Sequence, residues 1–356
     1  MYKRQGIASN SHAAINNLLI GAARHCIDEK IDASFVCTKN TSDDLELLGV
    51  TITSNGKLTK YLQASCVIGT TAWGFSREDL AGAFDVLIVD EAGQVAVANL
   101  VAMSRAANNL VLMGDQRQLG QPTQGVHPAE SGLSVLDYRL GDTAAVDPAH
   151  GVFLGKTYRM HPRINEMVSK HVYANRLGAD ATTAVRELLP ATEECLIKEA
   201  SGIVYLPVEH QNNTKESDEE AALIVEAVNS LIGRPLIRKD GSYQEVTLAD
   251  MLFVAPYNAQ ASKLQLALGN DARVGSVDRF QGQEAPIVFL SMCSSDASSS
   301  PRGVGFLFDR NRLNVAVSRA ETLFVLVGNP RLAVTAVGNL ADLKRVNFVA
   351  ALMVHS

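Results

Sequence analysis

Short runs of branched aliphatic residues alternate along the chain with longer segments in which apolar positions recur every three or four residues. The runs predict strands at Gly6–Ala8, Ser34–Cys37, Cys66–Thr70, Val86–Val89, Leu110–Met113, Val152–Leu154, Ile203–Pro207, Met251–Ala255, Val274–Ser276, Ile287–Ser291 and Phe324–Gly328. The helical spacing predicts helices over His12–Cys26, Val95–Ala107, Pro162–Val172, Glu216–Leu231, Ala259–Gly269, Arg310–Ser318 and Pro330–Val337. Strands that alternate with helices predict an α/β fold built on parallel sheets with helices on both faces. At 356 residues the chain exceeds what one core fills, and a domain break is expected near residues 155 to 160, giving domains 1–157 and 158–356.

Two polar segments stand out from this alternation. "SSDASSSPRG", Ser294 to Gly303, reads as a mobile low-complexity loop, and "KESDEEAA", Lys215 to Ala222, as a solvated helix start capped by Ser217 or Asp218. Composition is that of an ordinary soluble protein, 47% hydrophobic and 20% charged, with no apolar run long enough for a membrane span, and a secretory leader is not expected from the first residues. Five scattered cysteines without metal-ligand spacing fit free thiols in a reducing cytoplasm. A net charge of −6 argues against binding nucleic acid through an overall basic field, but it leaves room for a local groove.

In parallel α/β sheets ligands collect at the carboxyl ends of strands, and four segments there carry unusual polarity. "VLIVDEAGQ" ends a buried aliphatic run in Asp90 and Glu91: one acid can hold Mg²⁺ while its neighbour polarises a water, or the pair can cap the next helix. "LVLMGDQRQL" leads into Gln118, an amide able to accept from one group and donate to another, or else into an ordinary turn. In "FLGKTYRMHP" Arg159 lies just before a helix opened by Pro162, where its guanidinium can clamp phosphate, and Tyr158 can stack on a base. The "GKT" at Gly155 to Thr157 is not a Walker A loop, because position 150 is His rather than Gly. Last come "VGSVDRFQGQEAPIVFLSM", where Gln281 to Glu284 offer amides and a carboxylate, and "RLNVAVSRAE", with Asn314, Ser318 and Arg319 on one helix.

In order, these segments resemble the motif set of superfamily 1 helicases, in the branch of the nonsense-mediated-decay helicase and senataxin. "ASNSHAAINNLL" is similar to motif Ia, "VIGTTAW" to Ib, "VDEAGQ" to II, "GDQRQL" to III, "TYRMHP" to IV, "SVDRFQGQE" to V and "LNVAVSRA" to VI, over residues 7 to 330. The details resemble bacterial helicases fused to a nuclease. The resemblance implies two RecA-like domains, ATP and Mg²⁺ as cofactors, and single-stranded nucleic acid, DNA before RNA, as partner. It implies Mg²⁺ binding by Asp90, water activation by Glu91, γ-phosphate sensing by Gln118 and charge stabilisation by Arg159 and Arg319. It further implies that Tyr158 lies against adenine, Glu284 holds ribose, and Ser9, Asn10, Thr70 and Thr71 approach the strand.

One departure qualifies this. The family carries a G-x-x-x-x-G-K-[ST] loop some way before motif Ia, and no such run occurs in these residues. The expectation is a helicase motor region whose first RecA-like domain lacks its N-terminal part, 5′-to-3′ by resemblance, which alone hydrolyses ATP negligibly. The alternative left open is a nucleic-acid- or protein-binding module that has lost catalysis.

Overall fold

The structure is a computed structural model that describes residues 3–120, 127–143, 145–190, 195–280 and 282–355. The chain divides into two compact units, Met1–Thr143 and Ala144–Ser356.

Unit one holds strands β1 (Arg4–Ala8), β2 (Ser34–Cys37), β3 (Thr51–Ile52), β4 (Cys66–Gly69), β5 (Phe84–Val89) and β6 (Ala107–Leu112). They form one sheet in the order β3-β2-β4-β1-β5-β6, every pairing parallel. Successive side chains on a strand face opposite ways, so a strand covered on both sides must be apolar at every position. Ile7, Phe35 and Val67 accordingly enter one core with Ile15 and Leu19, while Ala8, Val36 and Ile68 enter the other with Phe75 and Met103. The first of these cores is roofed by α1 (His12–Asp28), whose N-cap Ser11 Oγ accepts from Ala14 N at 3.1 Å. Four shorter helices complete the unit: α2 (Asp44–Leu47), α3 (Ala72–Phe75), α4 (Val97–Ser104) and α5 (Val135–Leu140). Edge strand β6 breaks the rule, since its consecutive Leu110 and Val111, on opposite faces, are 40% and 45% exposed.

Unit two opens with the two-residue pair β7 (Lys156–Thr157) and β8 (Gly178–Ala179), joined by α6 (Pro162–Val172). The expected strand over Val152–Leu154 does not form; Val152 and Leu154 stand largely in solvent. Strands β9 (Glu187–Leu188), β11 (Pro235–Ile237) and β12 (Tyr243–Glu245) make a small antiparallel sheet that the parallel reading did not anticipate. The main sheet uses β10 (Gly202–Pro207), β13 (Met251–Val254), β14 (Val274–Gly275), β15 (Ala285–Ser291) and β16 (Ala320–Gly328) in the order β10-β16-β15-β13-β14, all parallel. Around it lie α7 (Asp218–Leu231), α8 (Asn258–Leu268), α9 (Val304–Leu307), α10 (Arg310–Val317) and α11 (Leu340–Val354). With two parallel sheets sandwiched by helices, the chain has the RecA-like α/β fold.

The two polar segments are solvated only in part: Lys215, Glu216, Asp218 and Glu219 are exposed, as are Ser298, Ser299, Pro301 and Arg302. Ser217 caps α7, accepting from Glu220 N, but Glu220 itself is fully buried. Its carboxylate accepts from Ser291 Oγ at 2.6 Å and from Cys293 N at 2.8 Å, and lies 3.0 Å from His210 Nε2. His210 Nδ1 in turn lies 2.6 Å from Ser295 Oγ, so the serine-rich stretch is pinned to the carboxyl edge of the sheet, with Ser294, Ala297 and Ser300 buried too. Burial next to Glu220 pushes the Tyr205 hydroxyl up to about 12 and raises the Cys293 thiol.

Candidate functional site

In unit one, β5 delivers Asp90 and Glu91 at its carboxyl end. Asp90 is fixed through its backbone N–H, which donates to Ala8 O at 2.8 Å, and its half-buried carboxyl is raised by desolvation, partly offset by the N–H of Glu91. Glu91 adopts φ 52°, ψ 41°, a left-handed conformation that costs a residue with a Cβ roughly 1–3 kcal/mol and tends to persist where function demands it. Its carboxylate accepts from Gln94 Nε2 at 3.1 Å.

The segment after β6 is pressed onto this turn. Ala92 N donates to Met113 O at 2.8 Å, and Gly114, at φ 153°, has no room for a side chain: a Cβ there would lie 2.8 Å from Ala92 N and 3.2 Å from Gly93 N. The close backbone approach places Asp115 beside the Glu91 turn. Asp115 organises the adjoining turn, accepting from Arg117 N at 2.8 Å and from Gln118 Nε2 at 3.1 Å. Gln118 is thus held on the same rim as Asp90 and Glu91. Asp115 does not stand out in the sequence, where an Asp after Gly reads as a turn residue.

The strand-contact candidates also sit at carboxyl ends, after β1 and β4. Ser9 is buried and its Oγ has no hydrogen-bond partner, while exposed Asn10 donates to Gln94 O, linking this rim to the Glu91 turn. Thr70 is fully buried; its hydroxyl accepts from Thr38 Oγ1 at 3.0 Å and donates to Asn55 Oδ1 at 2.9 Å. Thr71, the N-cap position of α3, is the half-exposed member of the pair.

In unit two, Glu284 immediately precedes β15 and Arg319 immediately precedes β16, and the first residues of these strands, Ala285 and Ala320, are paired. Both candidates therefore lie at the amino edge of the sheet, Glu284 in the loop between β14 and β15. Arg159 joins them: its Nε lies 2.5 Å from Glu284 Oε2, and its Nη1 donates to Ser318 O at 3.3 Å. Arg319 is buried, with its guanidinium donating to Val315 O and Gln283 O, both at 3.2 Å. Tyr158 projects its ring outward with Lys239 Nζ 5.2 Å above the centroid. Gln281 lies outside the described residues.

A second arginine, not singled out in the sequence, positions the first. Buried Arg186 donates to Arg159 O and Tyr158 O and pairs with Glu321 at 3.3 Å; Glu321 O in turn accepts from His161 N at 2.8 Å. Burial raises the Glu321 carboxyl against the pull of Arg186, and burial also lowers His161, whose Nδ1 caps α6 by accepting from Arg163 N. Nothing in the local sequence around Arg186 marks it, because its partners are backbone atoms 27 and 28 residues away.

Each unit thus presents charge suited to phosphate chemistry, carboxylates in the first and guanidinium groups in the second. No group of three or more His, Cys, Asp or Glu side chains that could hold a metal ion exists among the described residues. Mg²⁺ in general uses one or two carboxylates together with waters and phosphate oxygens, and Asp90 is a half-buried carboxylate whose charged form a bound cation would favour.

Two family models, each described as an AAA domain, match residues 37–123 and 138–331. The chain belongs to the AAA domain family. Its relatives include the DNA replication ATP-dependent helicase/nuclease JHS1 of Arabidopsis thaliana, 25% identical over 343 residues, covering 91% of this chain and 25% of that protein. The DNA polymerase alpha-associated DNA helicase A of Saccharomyces cerevisiae is 30% identical over 294 residues, 74% of this chain and 42% of that one. DNA-binding protein SMUBP-2 of Rattus norvegicus is 32% identical over 256 residues, 67% and 24%. The chain therefore spans between about a quarter and two-fifths of these proteins. Among solved structures, an arterivirus nonstructural protein 10 helicase aligns at 15% identity and a TM-score of 0.48, over 92% of this chain and 54% of that one.

Proposed function

We propose that the AAA-domain chain is the motor region of an ATP-dependent helicase of superfamily 1, working on single-stranded nucleic acid, DNA in preference to RNA. The observation that carries the reading is the Gly114 contact, which sets Asp90, Glu91 and Gln118 on one rigid rim. On this reading Asp90 holds Mg²⁺ and Glu91 takes a proton from the attacking water. Gln118, oriented by Asp115, contacts the γ-phosphate or that water. Bound Mg²⁺ would neutralise phosphate charge. Arg159 and Arg319 stabilise the charge that develops in transfer, Arg159 by exchanging its Glu284 partner for phosphate, Tyr158 lies on the adenine and Glu284 is freed for ribose. The names of the Arabidopsis and yeast relatives support DNA, and that of the Arabidopsis relative supports a fused nuclease. All five cysteines are free, which suits a reducing cytoplasm.

We further propose that these residues belong to a longer chain that supplies the phosphate-cradling loop. Support comes from β6, whose open edge and two exposed aliphatic faces suit one more parallel strand and its helix. Hydrolysis measured on the 356 residues alone and on a chain extended to include the loop separates the cases. The extended chain turns over ATP when single strands are added and the shorter one does not; strand-stimulated turnover by the shorter chain would refute the division of the site.

A further inference from the structure

Trp73 is the only tryptophan of the chain, and it is 80% exposed on α3, directly after the β4 terminus. Single apolar side chains on a surface are common and need no explanation by themselves. What distinguishes Trp73 is how firmly its backbone is held while the indole is left out. Two residues on, Phe75 is fully buried, with its ring 5.3 Å from that of Phe84 in an edge-on contact. Three residues back, Thr70 is locked to Thr38 and Asn55, and Ser76 Oγ donates to Trp73 O at 3.2 Å. The helix is nailed down at both ends and presents a large flat ring to water.

Its surroundings match one kind of ligand. Because β2, β4 and β1 are neighbours in the sheet, their carboxyl-end loops adjoin, bringing Thr38 and exposed Lys39, then Thr71 and Trp73, then Asn10 onto one rim. The helical turn from Asn55 to Tyr61, tied to Thr70 through Asn55, carries exposed Lys57. Hydroxyls, an amide and lysines suit a phosphodiester backbone, and an immobilised aromatic face suits a base, since every base has a π-face to stack.

We propose that Trp73 is a stacking platform for one base of the single strand. This rests on the nucleic-acid reading above and adds to it a contact that holds the base rather than the backbone. Stacking on Trp73 gives grip without sequence preference, as a moving motor requires, and fixes the strand's register against the hydroxyls of the same rim.

The lone tryptophan makes the test direct, because its fluorescence reports this position alone. Oligothymidylate is titrated into the 356-residue chain, and in parallel an oligomer of equal length built of abasic sites. The expected result is that oligothymidylate quenches the emission and the abasic strand does not. By anisotropy of labelled strands, Trp73→Ala weakens oligothymidylate binding by about 5- to 150-fold, the range for one stacked base, and Trp73→Phe recovers much of it. The abasic strand should bind the wild type and Trp73→Ala equally. If Trp73→Ala binds oligothymidylate as the wild type does, with salt-dependent affinity intact, stacking is wrong while the nucleic-acid reading stands, and the indole is left as a protein contact. If the wild type binds no strand at all, that reading fails and the stacking claim falls with it.

Discussion

Replacing Gly114 by Ala tests whether the backbone contact between the β5 and β6 exits organises unit one. The added Cβ would stand 2.8 Å from Ala92 N, 3.2 Å from Gly93 N and 3.3 Å from Glu91 C, all backbone atoms that cannot swing aside as a side chain could. Relief requires the two turns to part by roughly half an ångström, and overpacking of this kind costs about 1–3 kcal/mol. The φ of 153° adds strain for any L side chain, about 1–3 kcal/mol more. Parting the turns also stretches the Ala92 N to Met113 O bond of 2.8 Å, whose loss removes about 1 kcal/mol. Together the loss is about 3–7 kcal/mol. In urea, with a slope of about 2 kcal/mol per molar, the midpoint of the transition that includes unit one falls by roughly 1.5–3.5 M. Gly120→Ala is the control: a Cβ at Gly120 meets nothing within 4 Å, so its midpoint stays that of the wild type. Should Gly114→Ala unfold with the control, the two turns are not packed as described.

Unit two supplies two further tests. Glu220→Ala leaves Ser291 Oγ, Cys293 N and His210 Nε2 buried without their acceptor, and a loss of about 3–5 kcal/mol is expected in urea denaturation; a loss under about 1 kcal/mol would mean the network is not a clamp. His161 is held below its ordinary value by burial, so it contributes stability that is full above the unfolded value of 6.5 and is lost as pH falls toward its folded value. His161→Asn, which keeps an N-cap acceptor without a titrating ring, should flatten the decline of thermal stability below pH 6.5; an unchanged slope would assign the decline to other histidines.

The main strands were legible because full burial on two faces demands unbroken aliphatic runs, and Ser34–Cys37 forms over its predicted residues. Val152–Leu154 has the same composition, yet an apolar triplet carries no information about whether a sheet edge will receive it, and here the triplet joins no sheet and stays exposed at Val152 and Leu154. The antiparallel β11–β12 hairpin had a readable signal in Asp240-Gly241, with Gly241 at φ 80°, but its strands are too short for periodicity to show. Helix α11 lies outside the predicted helices although Asn339 caps it by accepting from Asp342 N at 2.8 Å. In the candidate site, residues on strand exits could be picked out by type and place. What could not be read is which polar side chains turn inward. Thr70 and Glu220 look like surface residues in sequence and are fully buried, because their partners, Thr38 and Asn55 in one case and Ser291 and Cys293 in the other, come from distant elements. Arg186 was invisible for the same reason.

The central claim is that the β5 exit is the hydrolytic end of an ATP-driven motor, and Glu91→Gln in the loop-containing longer chain tests it most directly. The substitution keeps the size and the contact with Gln94 while removing the base, so ATP binding should persist and strand-stimulated hydrolysis should fall by about 100-fold or more. Hydrolysis within a few-fold of the wild type, with binding equally intact, would contradict the assignment of Glu91 and with it the account of this rim.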